Sequence, residues 1–215
     1  MIKVKENKYD DEKFFNQYKK MARSTGGLEA AGEWHEFRKM MPDFQGKRVL
    51  DLGCGFGWHC RYAADNGAKS VTGVDISEKM LEKAWEMTES PVIEYILMPV
   101  EEVDYPNESF DVVLSSLTFH YVDSFRNMCK KIYNFLTDGG NFVFSVEHPI
   151  FTAYGTQDWY YDKNGERLHW PVDRYFSEGL RKANFLGEEV MKYHKTLTTY
   201  INDLIWSGFE ITGFM

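Results

Sequence analysis

Short apolar runs alternate with amphipathic stretches through the middle of the chain. The runs at 48–53, 70–75, 92–97, 110–115 and 140–146 have strand length and are bounded by turn residues, so they read as strands. Between them, 57–66, 77–88 and 123–136 carry apolar residues at helical spacing. Ser77, before Glu78 and Lys79, suits an N-cap, and Asp138-Gly139-Gly140 closes the helix before the fifth strand. Strands alternating with helices predict an α/β fold: a Rossmann-like, doubly wound, mostly parallel sheet with helices on both faces. Ligands in such sheets bind beyond the carboxyl ends of the strands.

The flanks differ. Residues 1–40 read as polar helix with one buried stripe of Phe14, Phe15, Tyr18 and Met21. Ser24-Thr25-Gly26-Gly27 interrupts it and Pro42 ends it. From Pro149 to Lys195 the alternation lapses into an aromatic-rich stretch holding Phe151, Tyr154, Trp159, Tyr160, Tyr161, Trp170, Tyr175 and Phe176. Helix resumes over 196–207, and Gly208–Phe214 reads as a sixth strand. The expected organisation is an N-terminal helical cap (1–44), a core (45–148 with 196–215) and an inserted lid (149–195).

The bulk numbers narrow the class. A chain of 215 residues fits one embellished α/β domain. A net charge of −8 argues against a nucleic-acid partner, which needs a basic face to neutralise phosphates. No apolar run reaches the ~18 residues of a membrane span, and the charged first twenty residues show no signal peptide. Three cysteines without a C-x-x-C pair suit a reducing cytoplasm.

The chemistry concentrates at Val49-Leu50-Asp51-Leu52-Gly53-Cys54-Gly55-Phe56-Gly57-Trp58. A strand runs into a glycine-rich turn, where the backbone can approach a ligand closely, and then into a helix start with free N–H groups. Eighteen residues past Gly57, Val71-Thr72-Gly73-Val74-Asp75 is a second strand ending in an acid, the spacing at which a carboxylate meets ribose hydroxyls. A dinucleotide fingerprint is G-x-G-x-x-G. Here the order is Gly53-x-Gly55-x-Gly57, and Trp58 stands where the third glycine would be.

With Asp51 two residues before the first glycine, the run resembles motif I of the class I S-adenosylmethionine-dependent methyltransferases, of the small-molecule, methyltransferase type 11-like kind. Asn107-Glu108-Ser109-Phe110-Asp111-Val112-Val113 resembles the turn into that family's fourth strand. Leu136-Thr137-Asp138-Gly139-Gly140 resembles the turn before its fifth. The resemblance implies S-adenosyl-L-methionine as cofactor and S-adenosyl-L-homocysteine as product. It implies cofactor contacts from Asp51, Gly53, Cys54 and Gly55, with Asp75 and Ile76 at the ribose and Ser115 near the methionine portion. Cys54 is also a packing residue rather than a nucleophile. Pro99 falls where the family often has an acid facing adenine, so adenine recognition would rest on the backbone around Val100 and Glu101, or on the Glu101 side chain. The family's seventh, antiparallel strand has no counterpart in this chain. In many small-molecule members a helical segment before motif I folds over the cofactor. Tyr18 and Arg23 would serve there, Arg23 as a fork for the cofactor's carboxylate.

A general base is needed only if the acceptor carries a proton that must leave. The candidates are His120 after the fourth strand and His148 after the fifth, with Tyr121 as a lesser one. A metal is not expected, because Glu147 and His148, adjacent on an extended chain, point to opposite sides. The acceptor is expected between the glycine-loop edge and the 149–176 insertion. The resulting expectation is a cytoplasmic methyltransferase, monomeric or homodimeric, acting on O, N or C of a small molecule, with no nucleic-acid or membrane partner. The alternatives are a non-catalytic S-adenosylmethionine-binding protein and a nicotinamide-dependent oxidoreductase.

Overall fold

A computed structural model of the chain describes residues 5, 7–154 and 158–215. Parts of the expected cap (residues 1–4 and 6) and lid (155–157) lie outside the described residues. Five parallel strands form the central sheet: β1 (Arg48–Leu52), β2 (Ser70–Asp75), β3 (Ile93–Leu97), β4 (Phe110–Ser116) and β5 (Leu136–Ser145), in the order β3-β2-β1-β4-β5. The order reverses between β1 and β4. A crevice therefore opens beyond their carboxyl ends, because the connections leaving those two strands run to opposite faces.

Alternation along each strand divides the core into two layers. Val49, Val71, Val112 and Leu114 face one side with Trp34, Phe37 and Phe44. They pack there against Cys60 and Ala63 of α4 (Trp58–Asp65) and Leu81 and Ala84 of α5 (Glu78–Glu86). Leu50, Leu52, Val74 and Val113 face the other side. They meet Met128, Cys129, Ile132 and Phe135 of α6 (Phe125–Phe135) and Tyr200 of α8 (Leu197–Trp206). The Ser77 hydroxyl accepts the N–H of Met80 at 3.2 Å, capping α5 as its sequence position suggests. The Asp138-Gly139-Gly140 turn appears as a break in register: Phe110 pairs with Leu136, but Val112 pairs with Asn141.

Three segments depart from the sequence reading. The described residues 7–40 are broken into short pieces, α1 (Glu12–Tyr18), α2 (Ala22–Thr25) and α3 (Trp34–Phe37), joined by turns. The span 149–195 holds α7 (Pro149–Ala153) and two antiparallel hairpins, β6–β7 (Tyr160–Tyr161 with Arg167–His169) and β8–β9 (Gly179–Phe185 with Glu188–His194). Gly208–Phe214 is not a strand. It has no ladder partner among the described residues, and an extended segment without one leaves its backbone groups to solvent.

The cap and the second hairpin share a small core of their own. Phe14 is buried with Ala183 and Val190, with Tyr9, Tyr18 and Phe185 packed around them. Lys13 and Lys8 pair with Glu188 at 2.6 and 3.4 Å. Cap and hairpin thus meet over the crevice. No described helix is long and apolar enough to cross a membrane.

Candidate active site

A cavity of about 250 Å³ lies at the carboxyl ends of β1, β2 and β4, with a side lobe of about 70 Å³ beneath α2. Gly53, Gly55, Tyr18, Arg23 and Ser116 border both.

The glycine loop and the strand-end acid are joined directly. Asp75 Oδ2 accepts the Gly55 N–H at 2.8 Å, and Oδ1 accepts the Ser77 N–H at 2.9 Å. Burial pushes the Asp75 carboxyl up to about 6, against the pull of those two N–H groups. Gly55 has φ +54° and a Cβ there would meet nothing within 4 Å, so its backbone faces open cavity. Gly57 serves packing instead: a Cβ would fall 2.0 Å from the Tyr95 hydroxyl.

Of the other residues expected at the cofactor, Ile76, Val100 and Glu101 line the main cavity, and Cys54 lines the side lobe. Lys131 holds the turn that carries Val100 and Glu101, donating to the Glu101 and Val103 carbonyls at 2.9 and 2.8 Å. Two residues stand apart. Asp51 is fully buried under the loop, where Cys60 Sγ donates to Oδ2 at 3.3 Å and Oδ1 has no partner. Burial raises its carboxyl to about 7. Ser115 is turned inward and donates to the Leu52 carbonyl at 2.8 Å. Its neighbour Ser116, on the opposite side of the strand, faces the cavity.

Arg23 reaches the cavity already paired. Its guanidinium donates to Glu33 Oε1 at 2.7 Å, and the same oxygen accepts the Ser116 hydroxyl at 3.3 Å. Glu33 gave no signal in the sequence, since nothing in its local pattern separates it from other exposed helical acids. Tyr9 was likewise missed. Its ring packs edge-on against Tyr18 at 5.2 Å, and its hydroxyl lies 3.2 Å from that of Tyr121, closing the cavity from the cap side. Asp10 ties this segment to the core: Oδ1 accepts the Ser77 hydroxyl at 2.6 Å and the Lys79 N–H at 3.2 Å at the start of α5.

The far end of the cavity is formed by His120, Tyr121, Val122, Glu147 and Phe185. Burial pushes the His120 imidazole down to about 4; the Glu147 charge opposes this and those of Lys192 and Lys195 add to it. His120 is therefore neutral near pH 7, and its Nδ1 has no partner. Lys195 fixes the turn that presents it, donating to the Phe119 and Val122 carbonyls. His148 is not brought to the cavity. It is exposed and caps α7, its Nδ1 accepting the Ile150 N–H at 3.2 Å. Nor do the aromatics of 149–176 line the cavity: Trp159, Tyr160 and Phe176 are exposed, and the inserted segment contributes Phe185. Among the described residues no cluster of three His, Cys, Asp or Glu could hold a metal ion.

The cavity fits the cofactor that the loop implies. A buried carboxylate, Asp75, stands at the end of β2 beside open backbone at Gly55, and the Arg23 guanidinium borders both the main cavity and its side lobe. The Trp58 Nε1 and the Ser24 hydroxyl, which border the side lobe, are buried without partners.

The methyltransferase domain family matches residues 50–144, from β1 to the end of β5. An assigned S-adenosylmethionine-dependent methyltransferase of Listeria monocytogenes is 58% identical, with 86% of each chain covered and a TM-score of 0.82. An S-adenosylmethionine-dependent methyltransferase of Mesorhizobium loti is 44% identical over 87% of this chain and 85% of that one, with a TM-score of 0.80. Phosphoethanolamine N-methyltransferase 3 of Arabidopsis thaliana is 31% identical over 80% of this chain, which spans only 34% of that protein's length.

Proposed function

The chain belongs to the class I S-adenosylmethionine-dependent methyltransferases, and we propose that it methylates a small-molecule acceptor held at the His120–Glu147 end of the cavity. One observation carries this reading: a single cavity joins the Gly55–Asp75 junction to a half-aromatic end that the cap and hairpin close over. Such enclosure suits a small acceptor better than a polymer, which would need an open groove.

Asp75 would take the ribose hydroxyls, and the turn at Val100–Glu102 would border adenine. Arg23 would take the cofactor's carboxylate, with Tyr18 and Tyr9 as the cover. Asp51 and Ser115 would act from beneath, Asp51 by shaping the loop and Ser115 by fixing β4 against β1. When bound, S-adenosylmethionine supplies an activated methyl group, which leaves to the protein the tasks of orientation and exclusion of water. His120, neutral and with a buried, unpartnered Nδ1 beside the cavity, would accept a hydrogen bond from the acceptor once the site adjusts around it. Residues 1–44 would act as the cap, 45–148 with 196–215 as the core, and 149–195 as the substrate-side insertion. Of that insertion, the β8–β9 hairpin supplies the wall.

Calorimetry with S-adenosylmethionine, followed by S-adenosylhomocysteine release over a panel of metabolites, tests this. Failure to bind the cofactor would overturn it; so would turnover confined to nucleic acid or protein acceptors.

A further inference from the structure

The side lobe beneath α2 presents hydrogen-bond donors that no described residue uses. Arg23, Ser24, Trp58 and His59 lie on its wall. Arg23 is the one charged side chain among the described residues there, since burial holds the His59 imidazole down at about 4 and so neutral near pH 7. Trp58 Nε1 and the Ser24 hydroxyl are buried and unpartnered. Both are held in place by their surroundings. A Cβ on Gly27 would fall 2.8 Å from the Trp58 ring, and the Arg61 guanidinium lies 4.5 Å from the ring centroid. Ser24 is 8% exposed. Its neighbour Thr25 turns its hydroxyl back to the Met21 carbonyl at 3.2 Å, the usual outlet for such a group in a helix, whereas the Ser24 hydroxyl makes no such bond.

We infer that Trp58 and Ser24, beside Arg23, bind the carboxylate of the cofactor's amino-acid tail and make the site selective for a ligand that carries it; the inference rests on the methyltransferase reading above. Three features point the same way. First, a buried polar group without a partner is costly, and two of them at one small lobe mark a place that a ligand completes. Secondly, an indole N–H and a guanidinium can only donate, and a hydroxyl can donate, so the ligand group is an acceptor. A carboxylate, with about four lone-pair sites, can take all three. A lobe of about 70 Å³ holds a few groups of water size, the scale of a carboxylate and its neighbours and not of a nucleotide. Thirdly, Arg23 is paired with Glu33 at 2.7 Å, so the pair is neutral as a whole. A tail bearing a carboxylate and an ammonium together suits a neutral pair better than a phosphate would.

Trp58 also stands where a dinucleotide loop has its third glycine. The side chain that departs from the dinucleotide pattern is thus the one that offers the N–H. Both donor atoms are covered from solvent, and the tail reaches them through side-chain shifts of the kind common on binding. The shift falls on α2, a single turn followed by Gly26 and Gly27.

The test compares S-adenosylhomocysteine with its decarboxylated analogue, which keeps the adenosine, the sulfur and the ammonium, by calorimetry on the full chain. Wild type is expected to bind S-adenosylhomocysteine at least about tenfold more tightly, a difference of about 1.4 kcal/mol. Trp58→Phe keeps an aromatic ring and removes the N–H, and Ser24→Ala removes the hydroxyl. Each is expected to weaken S-adenosylhomocysteine about threefold or more and to leave the analogue's affinity unchanged. A merely structural role would weaken both ligands alike, and that outcome overturns the inference. So does a wild type without the preference, or a preference that either variant keeps in full. If Trp58→Phe does not fold, Ser24→Ala decides by itself. Each of these results leaves the methyltransferase reading standing, whereas failure of S-adenosylhomocysteine to bind wild type would overturn both.

Discussion

The Asp75 carboxylate accepts the backbone N–H of Gly55 at 2.8 Å, joining the end of β2 to the loop that follows β1. The acid therefore has two tasks. It holds the loop in shape, and it presents its remaining lone pairs to the cavity. Asp75→Ala should remove both. A lost charge-assisted hydrogen bond is worth about 1.5–3 kcal/mol, so S-adenosylmethionine affinity should fall at least about tenfold. Calorimetry checks this, and wild-type affinity in the variant would mean that the ribose is held elsewhere.

The same residue sets a pH dependence. Burial raises the Asp75 carboxyl to about 6, so it is ionised at pH 7 and takes up a proton as the pH falls through that value. The cofactor hydroxyls require the ionised form as acceptor. Affinity should be flat above about pH 7 and decline below about pH 6, by up to about tenfold per pH unit. Asp75→Asn should start from a lower affinity and lose this limb. His120, held at about 4, contributes nothing in that window, whereas Asp51 under the loop, raised by burial to about 7, titrates beside it, so Asp51→Asn serves as the control. A limb near 6 that persists in Asp75→Asn would assign the titration to another group.

Much of this site was legible in the sequence, because strand period, glycine loop and strand-end acid lie within one βαβ unit. The rest depends on contacts between distant segments. Glu33 meets Ser116 across 83 residues, and Lys192 meets Glu147 across 45. The β8–β9 hairpin had a signal that polar residues obscured. Leu186 and Gly187 form its two-residue turn, both with positive φ as such hairpins require, but a leucine is an unusual choice there. Its buried side includes Lys192 and His194, which spoil the apolar alternation that marks a strand. His194 is buried because it is satisfied: its Nε2 donates to the Tyr175 carbonyl at 2.7 Å and its Nδ1 lies 2.8 Å from the Thr152 hydroxyl. The sixth strand was misread for the opposite reason. Gly208–Phe214 has strand-like composition, yet pairing is a property of the neighbour as much as of the segment.

The cap should be separable from the core through Asp10. This carboxylate bonds Ser77 and Lys79 at the start of α5, a cap supplied from a distant segment. Caps of this kind contribute about 0.5–2 kcal/mol. Asp10→Ala should therefore loosen residues 7–18 and weaken cofactor affinity several-fold, with little change in the core. Hydrogen exchange should rise in α1 and not in β1 or β4. Deleting residues 1–40 is a poorer probe, because Trp34 and Phe37 pack into the sheet's own core and their loss would unsettle it. Unchanged affinity in Asp10→Ala, with α1 exchange raised, would reduce the cap to a structural role.

The two histidines are expected to separate by kinetics. His148 caps α7 from an exposed position, so His148→Ala should cost about 0.5–2 kcal/mol of local stability and leave the kinetic constants near wild type. His120 lines the cavity with an unpartnered Nδ1, and burial keeps it neutral. A group held near 4 is too weak a base to draw a proton from an amine or alcohol at pH 7, and it serves better as a fixed hydrogen-bond acceptor. His120→Ala should then raise the acceptor's KM by about tenfold or more, lower kcat less, and leave S-adenosylmethionine affinity intact. A loss confined to kcat, of about a hundredfold or more, would make His120 a proton carrier. It would also require the bound acceptor to lift its pKa from about 4 toward neutrality, which a pH–rate profile of wild type would reveal as a limb between those values.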